Sequence, residues 1–445
     1  MKKITYSSIA LLIFASVVSC KPKIEAPEAS MGSVDGSRYV AIGTNNTAGY
    51  ANDALSAYGQ ENNYTAILAE QFNAVATIEF KQPLISSSSV GINTKGQSSL
   101  KLGYKTDCKG VTGLSPVRIA GTGDFTQLLN QFATFGRVNN LGVPGLSALA
   151  VNVAGYGNSA NGVGNFNPYF SRFASNEVSS SVLSDAAAIN PTFFTIMLGD
   201  DDILAFAKSG GTNGGIPAAS GAAGVGFSGS LEEVITTLSG NGAHGVIANI
   251  PDVTEYPYFN TIPYNGLKTD ASTTATLNAL GLGINFIVGD NPFTMEDPSA
   301  PNGFRQLLPG ELVLLSVPLD SIKCSAMGSA FPLRDEFVLT LDEIDEIKTK
   351  IDQYNNVIQS TASTYGLAIA DVNLMVTQLK TGTVYNGVAM SATFVTGGAY
   401  SLDGLQLNPI GQALLANQFI KAINTQFNAA IPFANVTKYS GIIFP

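Results

Sequence analysis

Residues 38–50, RYVAIGTNNTAGY, decide how the rest of the chain is read. A short apolar run, residues 39–42, ends at Gly43, and a small-polar turn then leads into a helix-like segment. Periodicity and turn chemistry make this a buried strand, a tight turn and a helix. In an open α/β sheet, ligands and catalytic groups gather at such strand ends.

Working outward, four more short β-rich runs follow, at residues 136–141, 193–198, 245–250 and 367–372. Helical patterns separate them, and that alternation predicts a parallel five-stranded sheet covered by helices on both faces. Two helices announce their starts. Thr340-Leu341-Asp342-Glu343 has capping-box spacing, and Ile344, Ile347, Ile351, Tyr354 and Ile358 recur at helical intervals behind it. Asn408-Pro409 pairs an N-cap with proline at the first helical position, and Leu414, Leu415, Phe419 and Ile423 continue one face. Three stretches are too long for ordinary connections: residues 80–125, 209–230 and 257–332. They read as insertions on one domain spanning residues 38–445, folded over the carboxyl ends of the strands. A second independent domain is the other reading.

Four blocks, in order, resemble the SGNH (GDSL) esterase and lipase family, and within it a lipoprotein branch with large insertions. They are Gly43-Thr44-Asn45-Asn46-Thr47-Ala48-Gly49-Tyr50, Asn139-Asn140-Leu141-Gly142-Val143-Pro144-Gly145, Leu198-Gly199-Asp200-Asp201-Asp202 and Leu402-Asp403-Gly404-Leu405-Gln406. Residues 245–251, GVIANIP, and residues 439–445 also look typical of that branch. The resemblance implies a three-layer α/β/α, flavodoxin-like fold. It implies a serine nucleophile at position 45, an oxyanion N–H at Gly142, an oxyanion-binding asparagine at 201 and an Asp403–histidine pair ending at 406.

Three of those functional residues are replaced. Asn45 has no hydroxyl to attack with, Gln406 cannot take a proton near neutral pH, and Asp201 puts a carboxylate where the family has an amide donor. Losing one oxyanion donor alone costs about 3 kcal/mol of transition-state stabilisation. The expectation is a pseudoenzyme that keeps its cleft for an acyl or acetylated-glycan ligand, or for a protein partner in an envelope complex. The alternative is a working carboxylic-ester hydrolase in which Asp201 and Asp403 activate water. A purely structural subunit of an envelope complex is a third reading.

Other candidates are weaker. His244, the single histidine, precedes a strand with no motif linking it to Asn45, and Ser228 sits in GFSGS, an incomplete nucleophile elbow. Asp200-Asp201-Asp202 lacks EF-hand spacing, so a role in holding the loop is expected and neither metal nor cofactor is.

With 45% hydrophobic and 13% charged residues, the composition is that of a folded chain. The net charge of −10 argues against nucleic acid or an anionic bilayer face as partner, and loss of the leader lysines Lys2 and Lys3 would take it to about −12. Residues 1–20 combine those lysines, an apolar run too short to span a bilayer, and Cys20. They resemble a bacterial lipoprotein signal, which implies lipidation of Cys20 as the membrane attachment. Lys21 after the cysteine points to the outer membrane; an ordinary secretory leader is the alternative. Residues 21–37 read as a flexible tether. Export permits a disulfide between Cys108 and Cys324, both of which lie in insertions.

Overall fold

The computed structural model describes residues 28–445. Five strands form one parallel sheet: β1 (Tyr39–Gly43), β2 (Asn140–Gly142), β3 (Phe193–Met197), β4 (His244–Ala248) and β5 (Ala368–Ala370). Their spatial order is β5-β4-β3-β1-β2. The chain therefore leaves β1 toward one edge, returns, and continues on the other side of β1. That reversal is the topological switch of a doubly wound sheet, and it opens a crevice between the carboxyl ends of β1 and β3. All five residues of β1 and of β3 are buried, as a strand covered on both faces requires.

Six helices matter for the site: α1 (Asn45–Ala48), α2 (Tyr64–Asn73), α3 (Asp200–Lys208), α4 (Phe227–Ser239), α5 (Leu341–Tyr365) and α6 (Pro409–Gln426). α2 and α6 pack together on one face, where the rings of Tyr64 and Phe419 stack at 4.7 Å. α4 and α5 pack on the other, with Phe227 stacked on Tyr354 at 4.1 Å. The predicted starts of α5 and α6 are those observed: Thr340 closes a capping box with Glu343, and the Asn408 side chain accepts from the Gly411 N–H at 3.1 Å. Such a cap stabilises a helix by about 1 kcal/mol.

Several expectations need correction. The run at residues 136–141 is strand only from Asn140, because Gly136 adopts φ +62° and ends a helical turn over Phe132–Phe135. The fifth run stops at Ala370, since Asp371 caps a helix that begins at Val372. Residues 30–34, expected to be part of a flexible tether, are held by the domain. Ser30 and Ala430 exchange backbone hydrogen bonds, the Ser33 N–H reaches the Phe427 carbonyl, and Val34 is buried. Cys20 and the leader lie outside the described residues.

The insertions are ordered by different means. Leu100–Thr106 and Thr112–Arg118 form an antiparallel ribbon within the first. Cys108 and Cys324 are disulfide-bonded, and Lys323–Asp107 and Lys105–Asp320 ion pairs flank the bond at 2.8 and 3.2 Å. The third has a small core of its own, built on Phe293, Met295, Leu307 and Val317 and extended by Leu333, Phe337 and Val338 just beyond it. It meets the main domain where the Tyr258 N–H bonds the Gly404 carbonyl at 3.0 Å. Among the described residues no helix is long and apolar enough to cross a membrane.

Candidate functional site

The crevice at the sheet's switch point is bridged by side chains. β1 ends at Gly43, where a Cβ would lie 2.1 Å from Thr47 Oγ1, so glycine is required for the chain to turn directly into α1. On the other side of the crevice, Gly199 takes φ +94° and starts α3, and a side chain there would strike Phe227, Ile250 and Tyr354. These two turns set Thr44 and Asn45 opposite Asp200, Asp201 and Asp202, the first turn of α3. Thr44 Oγ1 lies 3.0–3.1 Å from both Asp200 carboxylate oxygens. Asn45 Nδ2 lies 2.6 and 2.8 Å from the two oxygens of Asp201.

Gly142 does not join this group. Its N–H donates to Asn140 Oδ1 at 2.8 Å, and the backbone of Thr47 and Ala48 crowds it. The glycine that does is Gly145, whose N–H donates to Asp201 Oδ2 at 3.0 Å. Val143-Pro144-Gly145-Leu146 is a turn closed by Leu146 N–H to the Val143 carbonyl, with Gly145 at φ +74°. Proline at the second position and a left-handed glycine at the third are the marks of a type II turn. The Pro-Gly pair signals that turn in the sequence, but not which N–H faces the crevice.

Each aspartate has its own donors. Asp202 Oδ2 accepts from the Ala148 N–H at 2.9 Å, so the three carboxylates diverge and do not converge on one point. The helix N-terminus favours negative charge here, yet burial prevails. Burial pushes Asp201 up to about 6, against the pull of Lys208, the Gly145 N–H and the Asn45 amide. Burial and the neighbouring Asp201 charge hold Asp200 well above the usual carboxylate range, and burial raises Asp202 as well.

Asp403 and Gln406 reach the same cavity from the loop before α6. Asp403 Oδ1 accepts the N–H groups of Leu405 and Gln406, both at 2.8 Å, and Oδ2 accepts the Asp53 N–H at 3.0 Å. Burial nonetheless raises its pKa. Asn52 and Asp53, both at φ +55°, form the two-residue turn of a hairpin, the geometry that asparagine and aspartate tolerate best. Arg118, at the foot of the ribbon, pairs with the Asp53 carboxylate. The cavity encloses about 450 Å³, and Asn45, Gly145, Asp201, Asp403 and Gln406 all line it. Its walls include Tyr50, Tyr156, Phe166 and Tyr169, which the sequence reading did not single out.

The remaining candidates lie elsewhere. His244 opens β4 at the opposite end of the sheet, exposed, its ring 5.0 Å from that of Phe427. Ser228 sits in the first turn of α4 and exchanges hydrogen bonds with the Gly221 backbone.

No family model matches this chain, and no curated protein matches it. Among solved structures, one match is the crystal structure of LAE5, an alpha/beta hydrolase enzyme from the metagenome of Lake Arreo, Spain. It is 10% identical, with 88% of this chain and 96% of that chain covered and a TM-score of 0.33. The class defined by the chain's own strand order is an α/β protein with a five-stranded parallel sheet, doubly wound, its polar cluster at the switch point.

Proposed function

We propose that this protein is a non-hydrolysing relative of the SGNH esterases, attached to the cell envelope through a lipid on Cys20, which uses the cavity beside Asn45 to bind a ligand. One observation carries the reading: the Asp201 carboxylate takes both the Gly145 N–H and the Asn45 amide. An acyl-transfer site needs such donors free and aimed at a developing oxyanion. Here they are satisfied by a resident carboxylate, which would also repel the oxyanion. Asn45 supplies no nucleophile, and Gln406 supplies no base. The bond partners that hydrolysis needs are therefore spent on one another, and the aperture around them is kept. The acyl, glycan and protein-partner readings of the sequence all remain readings of this same aperture.

One observation favours a rival. A carboxyl group held near 6 in a cleft suits general-base work on water, so Asp201 could serve a hydrolase that lacks the family triad. Purified protein incubated with p-nitrophenyl acetate and butyrate separates the two. We expect no turnover above that of the heat-denatured protein. Turnover that disappears in Asp201→Ala would overturn the binding-only reading and install the carboxylate mechanism.

A further inference from the structure

Once the internal pairs of the cavity are made, its unpaired groups are neutral apart from the exposed Lys208, which lines it and has no ion pair among the described residues. Asp201 and Asp403 are occupied by N–H donors, and Asp53 by Arg118 and by the Tyr50 hydroxyl at 3.2 Å. Gln406 is 4% exposed and lines the cavity, and its side-chain amide makes no hydrogen bond among the described residues. Asn45 spends its Nδ2 on Asp201, which leaves its carbonyl Oδ1 without a partner among those residues. Neither amide is sealed from the cavity: Asn45 is half-buried, and the Gln406 side chain lines the cavity beside it. A ligand group that both donates and accepts suits them, as a hydroxyl does. Tyr50 is held as a wall by its edge-on contact with Tyr169, at 5.9 Å and 81°. The Tyr156 hydroxyl is pinned toward Asn167 Nδ2 at 3.4 Å, and its ring, like that of Tyr50, stays partly exposed.

This lining selects among ligands. The lining sets three carboxylates against one ammonium, Lys208, and that net negative charge disfavours anions, including fatty-acid and phosphate headgroups. A long acyl chain needs an apolar tunnel, and the floor is instead two amides and a carboxylate. Cations find the carboxylates already bonded to protein donors. Ring faces flanking unpaired amides are what a sugar uses, with its hydroxyls on the amides and its C–H faces on the rings. The volume of about 450 Å³ is in the range of small-molecule sites, ~300–1,000 Å³.

From this we infer that the cavity binds a short neutral oligosaccharide, with Gln406 and Asn45 Oδ1 bonding its hydroxyls and Tyr50 and Tyr156 covering its C–H faces. The inference rests on the non-hydrolysing reading of the same site, but it is tested by binding and not by turnover. The probes are cellotetraose, xylotetraose, mannotetraose and N-acetylchitotetraose, with dodecanoate and spermidine as the acyl and cationic alternatives. Heat of binding and tyrosine emission report the event, the chain having 16 tyrosines and no tryptophan. At least one saccharide should bind with a Kd below ~1 mM. Gln406→Leu and Tyr156→Ala should each weaken it by ~10-fold or more. The bound sugar should also slow amide exchange in residues 156–169 and 402–406 of the unmodified protein, a readout that does not depend on either variant folding. The inference is overturned if no saccharide binds at ~10 mM, or if binding leaves those amides unprotected. Dodecanoate or spermidine binding that is lost in Gln406→Leu would overturn it in favour of that ligand class. Failure here with no ester turnover leaves the non-hydrolysing reading intact, whereas ester turnover dependent on Asp201 removes both.

Discussion

Replacing Asp201 with asparagine should make the protein more stable at alkaline pH and change little in mild acid. In the fold Asp201 is raised to about 6 from a free value of 3.8, chiefly by burial. That difference corresponds to about 3 kcal/mol between the two protonation states. The sign follows from proton uptake. Between pH ~4 and ~6 the folded chain binds the proton that the unfolded chain has released, so stability falls as pH rises through that window. Above it the full penalty is present. The introduced amide would carry no charge, and it could still accept the Gly145 N–H and, with the Asn45 amide turned over, donate to Asn45. Exchanging charge-assisted for neutral hydrogen bonds returns about 1 kcal/mol. The net gain expected is about 1–2 kcal/mol at pH ~8, fading below pH ~5. Urea denaturation of both proteins at the two pH values measures it. Asp200, Asp202 and Asp403, also raised by burial, keep some pH dependence in the variant. A variant less stable than the parent at pH ~8, with an unchanged pH slope, would show that Asp201 is comfortably ionised and that burial does not dominate here.

Cys20→Ser should release the protein from the membrane fraction; a variant retained through a carbonate wash places the anchor elsewhere. Cys324→Ser breaks a bond between residues 216 apart, and loss of such a bond typically costs about 2–5 kcal/mol. Its thermal transition should fall and protease cuts should appear within residues 100–118, while an unchanged transition and cleavage pattern would contradict this. Gly142→Ala and Gly145→Ala should behave very differently. A Cβ on Gly142 would lie 2.4 Å from the Ala48 backbone nitrogen, whereas one on Gly145 meets nothing within 4 Å and pays only for its positive φ, about 1–2 kcal/mol. Comparable soluble yields and unfolding midpoints for the two variants would refute the different environments assigned to these glycines.

The parts of this fold that were legible in the sequence are those set by local chemistry. Residues 39–42 had to be strand because an apolar run is cut by a glycine. Thr340 and Asn408 had to start helices because their side chains satisfy the first free N–H groups. The pairing of positions 45 and 201 was implied by a resemblance and is visible as a hydrogen bond. What was missed depends on backbone direction and distant packing. Gly142 and Gly145 are three residues apart in the same apolar loop, and only the turn geometry tells which N–H faces the crevice. Tyr50, Tyr156 and Tyr169 become cavity walls because loops far apart in sequence meet there. Residues 30–34 read as tether by composition, but their backbone groups bond the chain after α6, and no side-chain pattern records that.

The measurement closest to the central claim is fluorophosphonate labelling of Asn45→Ser/Asp201→Asn/Gln406→His. The claim is that a hydrolase site stands here with its nucleophile, oxyanion donor and base exchanged for groups that cannot do their work. With Asn45 also replaced, the new amide at position 201 is free to turn its N–H toward the crevice and release the Gly145 N–H, which gives two donors, and Asp403 stands three residues before the new imidazole. The three changes act as a unit, so single variants should remain unlabelled. Misplacement by ~1 Å costs ~100-fold in turnover, and a probe that needs a single attack tolerates such a loss. Labelling of the hydroxyl introduced at position 45 in the triple variant, absent from the parent, is the predicted result. A triple variant that folds as the parent does, judged by its unfolding midpoint, yet takes no label over hours, would contradict the account.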